Sequence, residues 1–239
     1  MKIIGIIPAR GRSKSIRNKV IRLFCGKPLI AWSIESAKKS KALDRIIVLT
    51  DSPYIAAVAR THGAEVPFLE PMELADGTGG IELPIRFVYE KLIETENYKA
   101  DAIAMLMPTN PFRKSTHIKA AIALFKKKKS DSVVAVNEIP ANHTPFWTFV
   151  RTEERGAALF GNIPLKNIYD RRQDFPHPCY ARNEIIYLLK PKNLYETPPR
   201  LYGTKVELYE TSPLYEADIN TPEEWKLAEI RFRALQKNP

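Results

Sequence analysis

The fold is decided by residues 3–8, which read IIGIIP. A short β-branched run that ends at a proline predicts a buried parallel strand, here over 2–7, because helices cover both faces of such a strand. Residues 9–19 then form a loop at the carboxyl end of that strand. The chain is therefore expected to begin with the first strand of an α/β fold.

Beyond this strand, helical and strand patterns alternate along the chain. Helices are predicted over 28–37, 53–63, 81–94 and 115–129 and from 221 onward, and strands over 45–50, 64–67, 102–107, 132–136, 184–189 and 206–209. Right-handed crossovers turn such an alternation into an α/β fold with a three-layer, doubly wound, mainly parallel sheet. Ligands bind beyond the carboxyl ends of the strands in these sheets, so the loops after the strands are the candidate site.

Composition and charge narrow the classes of partner. A chain of 239 residues with 44% hydrophobic content builds one sizeable core, and its net charge of +10 favours nucleic acid, an anionic membrane or a phosphorylated small molecule. The lysines at 126–129 are expected to end a helix, where cations complement the helix dipole. Basic and aromatic residues are not interleaved, so we expect no nucleic-acid partner.

The start of the chain indicates a cytoplasmic protein. Its apolar run is too short for a signal peptide, and Pro8 follows where a membrane-spanning segment would stay apolar. Cys25 and Cys179 lie far apart and match no metal-ligand spacing. We therefore expect no membrane partner and a reducing compartment.

One segment interrupts the alternation. Over 138–180 the periodicity fails, and proline, histidine and aromatic residues accumulate. Such a stretch in a compact protein indicates a functional excursion or a dimerisation arm, with an irregular surface loop as the alternative. We predict a single domain over 1–239 that carries this excursion.

The loop after the first strand has the composition of a polyphosphate site. Residues 8–19 read PARGRSKSIRNK and combine a glycine, hydroxyls and five cations. Amides near Gly11 are expected to approach phosphate oxygens, while Arg10, Lys14 and Lys19 offset the charge that develops on phosphorus. The spacing matches neither a Walker loop nor a dinucleotide fingerprint. A solvated basic loop is the structural alternative.

The motifs of this loop resemble those of a known family. IPARG at 7–11, Ser13-Lys14, Lys19 and GKPLI at 26–30 are similar to the signature of the acylneuraminate cytidylyltransferase (CMP-sialic acid synthetase) family. Further matches follow in order along nearly the whole chain: TDS at 50–52, AEVPF at 64–68, ELAD at 73–76, Thr78, PT at 108–109, Pro111, Arg113, RQD at 172–174, RN at 182–183 and Asp218.

This resemblance implies a reaction and an assembly. The reaction is the transfer of CMP from CTP to the anomeric hydroxyl of a nine-carbon α-keto sugar acid of the sialic, legionaminic or pseudaminic type, with release of pyrophosphate. The fold would be that of the nucleotide-diphospho-sugar transferases. The family also implies a homodimer, with residues 140–169 as the arm that crosses to the second subunit.

The resemblance also implies the site residues. The implied catalytic residues are Arg10, Lys14, Lys19 and Asp218, and the implied Mg²⁺ ligands are Asp218 and Asn220. The nucleotide is expected to contact Ala9, Arg10, Gly11, Arg12, Ser13, Lys19, Thr78, Met107 and Pro108. The keto acid is expected to contact Gln173, Arg182 and Asn183. An arginine suits a carboxylate, but Gln173 and Arg182 could instead cap backbone structure.

Four positions show the main departures from the family pattern. Asn220 replaces the second acid of an Asp-x-Asp pair, so we expect weaker metal binding than two carboxylates would give. Met107 stands in place of a glutamine and cannot read a cytosine edge, while Val20 replaces an amide. Glu70 replaces an arginine and would repel phosphate. Two alternatives follow, namely the same fold with another NTP or sugar, and a binding homologue without catalysis.

Overall fold

The computed structural model describes residues 1–11, 15–75, 80–153 and 156–237. Its strands are β1 (Ile3–Pro8), β2 (Leu23–Phe24), β3 (Lys27–Pro28), β4 (Arg45–Leu49), β5 (Ala102–Met105), β6 (Ser132–Glu138), β7 (Phe149–Thr152), β8 (Gly156–Leu159), β9 (Tyr180–Leu189) and β10 (Val206–Glu210). Its α-helices are α1 (Leu29–Ser40), α2 (Pro53–Thr61), α3 (Met72–Ala75), α4 (Glu82–Glu96), α5 (Ser115–Lys128) and α6 (Pro222–Lys237). Within these residues, no helix is both long and apolar enough to cross a membrane.

A six-stranded sheet in the order β10-β6-β9-β5-β1-β4 forms the centre of the larger unit, which comprises Met1–Ala135 and Asn183–Pro239. Strand β1 pairs in parallel with β4 and β5, whereas β9 pairs antiparallel with β5. The starts of β6 and β10 lie together, because the Asp131 amide donates to Lys205 O at 2.8 Å. The prediction of a mainly parallel α/β sheet is confirmed.

This arrangement gives the sheet two distinct edges. At the carboxyl edge, β1, β4, β5, β6 and β10 end and β9 begins; at the amino edge those five strands begin and β9 ends. The Lys190 amide donates to Asp131 O at 2.9 Å, which places the end of β9 beside the start of β6 at the amino edge. The loop after β1 therefore opens at the carboxyl edge, as ligand sites of such sheets do.

Helices cover both faces of the sheet. Ile3 and Ile7 belong to one apolar core with residues of α1, α2 and α5, such as Ile34. Side chains alternate between faces along a strand, so Ile4 and Ile6 point to the opposite face, and both are fully buried. Helix α4, whose Ile85 is also fully buried, contacts β4.

Local signals explain where the helices begin and end. Helix α2 starts at Pro53, with the Ser52 hydroxyl accepting from the Ile55 amide at 3.4 Å. Helix α5 ends in a turn of lysines and is followed by Lys129 in the left-handed region, φ 50°. This confirms the prediction that the run at 126–129 ends a helix, where cations are favourable.

The predicted strand over 64–67 is reduced to one parallel bridge, between Ile47 and Glu65. Pro67 cannot donate a ladder hydrogen bond, which explains why the pairing stops so early. The antiparallel direction of β9 and the small β2–β3 hairpin were not predicted. Direction depends on contacts between distant segments, which local periodicity does not contain.

The smaller unit is Val136–Arg182. Its ends lie close to those of the predicted excursion, 138–180. Strands β7 and β8 form an antiparallel hairpin, with Phe149 opposite Leu159. Next to it, Phe146 packs on Phe175 with ring centroids 5.0 Å apart, and the Trp147 indole donates to Tyr169 O at 2.6 Å. These aromatic residues therefore pack against one another within the unit.

Candidate active site

The loop after β1 is anchored to the loop after β4. The Ala9 amide donates to Leu49 O at 2.8 Å, and the Gly11 amide donates to Asp51 Oδ1 at 2.6 Å. A Cβ on Gly11 would come within 3.0 Å of the Ser52 Cβ, so a side chain there would push the two loops apart. Asp51 thus fixes the Gly11 amide, which the sequence had suggested for phosphate.

Arg10 is exposed at this edge, and its guanidinium lies near the carboxyl group of Glu70. Glu70 is 7% exposed, and its amide donates to Thr50 O at 2.8 Å. Burial, with a contribution from Asp51, raises the pKa of Glu70 to about 7, although Arg10 lowers it. Near neutral pH this carboxyl group is therefore divided between a neutral and a charged form beside the predicted phosphate site.

Lys19 joins the first loop to the segment before α6. Its ammonium donates to Ile219 O at 2.8 Å and to Asn220 Oδ1 at 3.0 Å. Burial lowers the pKa of Lys19, and the nearby Asp218 carboxylate raises it. The structure thus brings together three of the predicted site residues, a lysine, an aspartate and an asparagine.

The amide of Asn220 bridges the other two members of this cluster. Its nitrogen donates to Asp218 Oδ2 at 2.7 Å, while its oxygen accepts from Lys19. An ammonium only donates and a carboxylate only accepts, so the two neighbours fix the amide orientation. Ser15 adds a bond from its hydroxyl to Asn220 O.

The start of α6 holds this cluster in place. Glu224 Oε2 accepts from the amides of Asn220 at 2.7 Å and Thr221 at 2.9 Å, and the Glu224 amide donates to the Thr221 hydroxyl at 3.2 Å. This reciprocal arrangement is a capping box. The sequence predicted a helix from 221 onward but not the contact of Glu224 with Asn220.

Among these side chains, one offers a ligand of the kind that Mg²⁺ prefers. Asp218 offers a hard carboxylate oxygen, and Mg²⁺ sites often combine one or two carboxylates with substrate phosphates and water. The oxygen of Asn220 is occupied by Lys19 and is available to a metal only if that bond opens. Within the described residues, no group of three or more His, Cys, Asp or Glu side chains is arranged to hold a metal ion.

The loop after β5 carries Met107 and Pro108 and is fixed by Arg113. The buried Arg113 guanidinium donates to Met107 O at 2.7 Å, to Glu184 O at 2.8 Å and to Ser33 Oγ at 2.8 Å. It also donates to Ile185 O, and burial lowers the pKa of Arg113 to about 9. Arg113 therefore ties the β5 loop to the middle of β9, a role the sequence did not reveal because the acceptors are mostly backbone carbonyls.

One of the predicted sugar-binding residues, Asn183, and one of the departures, Val20, are buried within the larger unit. Asn183 is 3% exposed; its amide nitrogen donates to Thr211 Oγ1 at 2.8 Å and its oxygen accepts from the Ile185 amide at 3.1 Å. Val20 is buried in the apolar core with Ile30. A ligand role for Asn183 stays a prediction.

The remaining predicted residues divide into two groups. Gln173, on the short turn Arg172–Asp174, and Arg182 are exposed side chains of the smaller unit. The other group lies outside the described residues and comprises Arg12, Ser13, Lys14 and Thr78. Asp51, Glu224 and Arg113 were not predicted as site residues, although TDS at 50–52 and Arg113 were recognised as motif positions.

Comparison with known proteins agrees with the motifs. A family model described as cytidylyltransferase matches residues 4–231. A CMP-N,N'-diacetyllegionaminic acid synthase of Legionella pneumophila is 33% identical over 233 residues, which cover 96% of this chain and 95% of that protein. A post-translational flagellin modification protein B of Campylobacter coli is 28% identical over 242 residues, covering 99% and 97% of the two chains.

Solved structures share the fold. A CMP:2-keto-3-deoxy-manno-octonic acid synthetase complexed with CTP superposes with a TM-score of 0.72 at 18% identity, over 99% of this chain and 100% of that one. A 4-diphosphocytidyl-2C-methyl-D-erythritol synthase from Anaerococcus prevotii superposes with a TM-score of 0.63 at 12% identity, over 97% and 98%. At these identities the likeness bears on the fold alone.

Proposed function

We propose that this chain, which belongs to the cytidylyltransferase family, transfers CMP from CTP to the anomeric hydroxyl of a nonulosonic acid and releases pyrophosphate. The observation that carries the proposal is the contact of Lys19 with the Asp218–Asn220 segment at the carboxyl edge of the sheet. In this contact the Asp218 carboxylate lies near Lys19, the last residue of the loop after β1. A legionaminic-type acid is the first candidate, since a relative of nearly equal length is named for that product.

The roles of the chain's own residues follow from their charges. Arg10, Lys14 and Lys19 are proposed to stabilise the charge that develops as the sugar hydroxyl attacks the α-phosphorus in line. Mg²⁺ bound through Asp218 would supply Lewis-acid neutralisation of the triphosphate. Asn220 holds Lys19 and Asp218 at a fixed separation, and Arg182 with Gln173 is proposed to bind the carboxylate of the keto acid.

Pyrophosphate release tests this function directly. The purified chain is incubated with Mg²⁺, each of the four NTPs and a panel of sialic, legionaminic, pseudaminic and Kdo-type acids. We expect turnover with CTP and at least one nine-carbon acid. Binding of CTP without turnover with any acid would contradict the enzymatic role and would support a binding homologue.

A different NTP is the second candidate, and Met107 is the residue that favours it, whereas Glu70 bears on the affinity for any triphosphate. This buried carboxyl group lies near Arg10, so in its charged form it competes with nucleotide phosphate for that guanidinium. Met107 offers the base a thioether instead of an amide. The same NTP panel distinguishes the two, because turnover with UTP, ATP or GTP that exceeds turnover with CTP would replace the proposed donor.

We further propose a homodimer that uses the smaller unit and works in the cytoplasm, where CTP is available. Large apolar side chains are exposed on this unit, among them Phe149 at 57%, Phe160 at 58% and Ile163 at 46%. Exposed apolar patches commonly mark interfaces. Light scattering of the wild type and of Phe160→Asp tests this, and a monomeric wild type would contradict it.

A further inference from the structure

Four buried polar atoms lack a hydrogen-bond partner within the described part of the chain. They are Tyr98 Oη, Thr109 Oγ1, Ser130 Oγ and Asn193 Oδ1. Buried polar groups are nearly always bonded, and an unsatisfied one destabilises the folded protein. Each exception therefore needs a physical reason.

Three of the four lie at the amino edge, away from the candidate site. Tyr98 and Ser130 lie in the segments that lead into β5 and β6, and Asn193 donates through Nδ2 to Asp131 O at 3.3 Å beside the start of β6. Thr109 differs, because it belongs to the loop that follows β5 and so lies at the carboxyl edge. Ligands of such sheets bind at that edge.

Backbone contacts connect Thr109 to the Lys19 cluster. The Ile219 amide donates to Thr109 O at 3.4 Å, and Ile219 O accepts from Lys19 Nζ at 2.8 Å. The Ile219 backbone thus links Thr109 to Lys19, the lysine that the proposed function assigns to phosphate.

The loop that carries Thr109 is held rigidly. The Asn110 side chain donates to Tyr215 O at 3.0 Å and accepts from the Phe112 amide at 3.0 Å. With Arg113 bound to Met107 O, the residues on both sides of Thr109 are fixed. A rigid loop that leaves one hydroxyl unsatisfied is preorganised for a ligand, since only the side chain has to move.

We propose that Thr109 is a further substrate-binding residue, whose hydroxyl donates a hydrogen bond to a phosphate oxygen of the bound nucleotide. The proposal rests on the proposed function. Thr109 is 7% exposed although Oγ1 itself is buried, so a rotation about χ1 that exchanges hydroxyl and methyl group delivers the donor. The acceptor is assigned to phosphate because the neighbouring Lys19 ammonium favours an anion, and charged acceptors form the stronger bonds.

The matched pair Thr109→Val and Thr109→Ser tests the proposal on the full chain. Valine keeps the shape and removes an unsatisfied hydroxyl, so we expect its Tm without ligand to rise by about 2 to 4 °C. The Kd for CTP with Mg²⁺, measured by calorimetry, should rise roughly 10-fold in Thr109→Val and stay close to wild type in Thr109→Ser. A purely structural hydroxyl would instead lower the Tm when removed.

Ser130→Ala is the control, because it removes an equally unsatisfied hydroxyl at the amino edge. We expect it to leave the Kd for CTP unchanged. Cytidine, which has no phosphate, should bind Thr109→Val and the wild type equally well. An equal loss of cytidine affinity would overturn the assignment to phosphate.

The outcomes separate this role from the proposed function. If the wild type and Thr109→Val bind CTP with the same Kd, the role of Thr109 alone is overturned. A clear fall in the Tm of Thr109→Val would also overturn that role alone. Wild type that shows no CTP binding overturns the proposed function and this role with it.

Discussion

Two clusters of lysine and acid stand at opposite edges of the same sheet and differ in how their charges are satisfied. At the amino edge, Asp131 accepts from Lys190 at 3.1 Å and Lys192 at 2.8 Å, and from the Lys205 amide at 3.2 Å. At the carboxyl edge, the Lys19 ammonium contacts two neutral oxygens, Ile219 O and Asn220 Oδ1.

The difference shows how a structural cluster is distinguished from a candidate site. The bonds from Lys192 and Lys190 hold the pKa of Asp131 well below its usual range, so that carboxylate is fully engaged within the protein. Burial instead lowers the pKa of Lys19, because its contacts leave the positive charge uncompensated by direct pairing. An anionic ligand would supply the missing charge, and the comparison predicts that the two clusters respond differently to substitution.

The largest effect is expected for Lys19→Met. Loss of a preorganised cation at the reacting phosphate should lower kcat roughly 100- to 1,000-fold, with little change in Tm. Pyrophosphate release under saturating CTP is the measurement. Lys192→Met, which also removes one ammonium, is the matched control and should leave kcat unchanged. Equal losses in both variants would abolish the distinction between the clusters.

Asp131→Asn should act on stability alone. Asparagine keeps the shape but loses charge-assisted bonds, so the unfolding free energy should fall by about 1 to 3 kcal/mol. The folded-state pKa of Asp131 is lowered, so its stabilisation is present above the ordinary value of 3.8 and is lost as the pH falls below it. Urea unfolding of both proteins at pH 7 and at pH 3 measures this. A difference that does not shrink at pH 3 would contradict the role of the charge.

The sequence predicted the elements with strong local patterns and missed those that depend on distant contacts. Helix α5 was predicted over 115–129 and is Ser115–Lys128, because apolar spacing and a basic last turn are local signals. The antiparallel β9 was not predicted as such, since its pairing with β5 joins segments far apart in the chain.

The candidate site divides in the same way. Charge and position in the loop after the first strand identified Lys19, whereas Asp218 and Asn220 were identified through the family resemblance. The bond between Lys19 and Asn220 spans 201 positions, and no local pattern specifies that the amide joins the lysine to the aspartate. Arg113 was not assigned a role, since most of its acceptors are main-chain carbonyls that every residue possesses.

Asn220→Asp sharpens the comparison, because it places a carboxylate beside the Lys19 ammonium and so gives the cluster at the carboxyl edge a directly paired charge. The change removes the hydrogen bond from the Asn220 side chain to Asp218 and sets two carboxylates side by side, so the Tm without metal should fall. A second charged oxygen should tighten Mn²⁺ binding on the order of 10-fold. Electron paramagnetic resonance of Mn²⁺ without substrate measures this. Unchanged Mn²⁺ affinity would place the metal elsewhere.

Glu70→Gln is expected to have the smallest effect on substrate binding, and it tests what a buried acid beside Arg10 does at the carboxyl edge. The pKa of Glu70 is raised from 4.5 to about 7, so the folded protein holds this proton more tightly and its stability falls as the pH rises from 4.5 to 7. Glutamine carries no charge at any pH. The variant should therefore match the wild type below pH 4.5 and be more stable at pH 8, by about 1 to 3 kcal/mol.

The same substitution should also lower the KM for CTP a few-fold at pH 8, because a charged Glu70 competes with phosphate for Arg10. At pH 6, where Glu70 is mostly protonated, the KM values should converge. Glu94→Gln, which neutralises an exposed acid of α4, is the control and should change neither quantity. A KM that rises in Glu70→Gln at pH 8 would mean that the carboxylate holds Arg10 in a productive position, and the buried acid would then belong to the binding machinery.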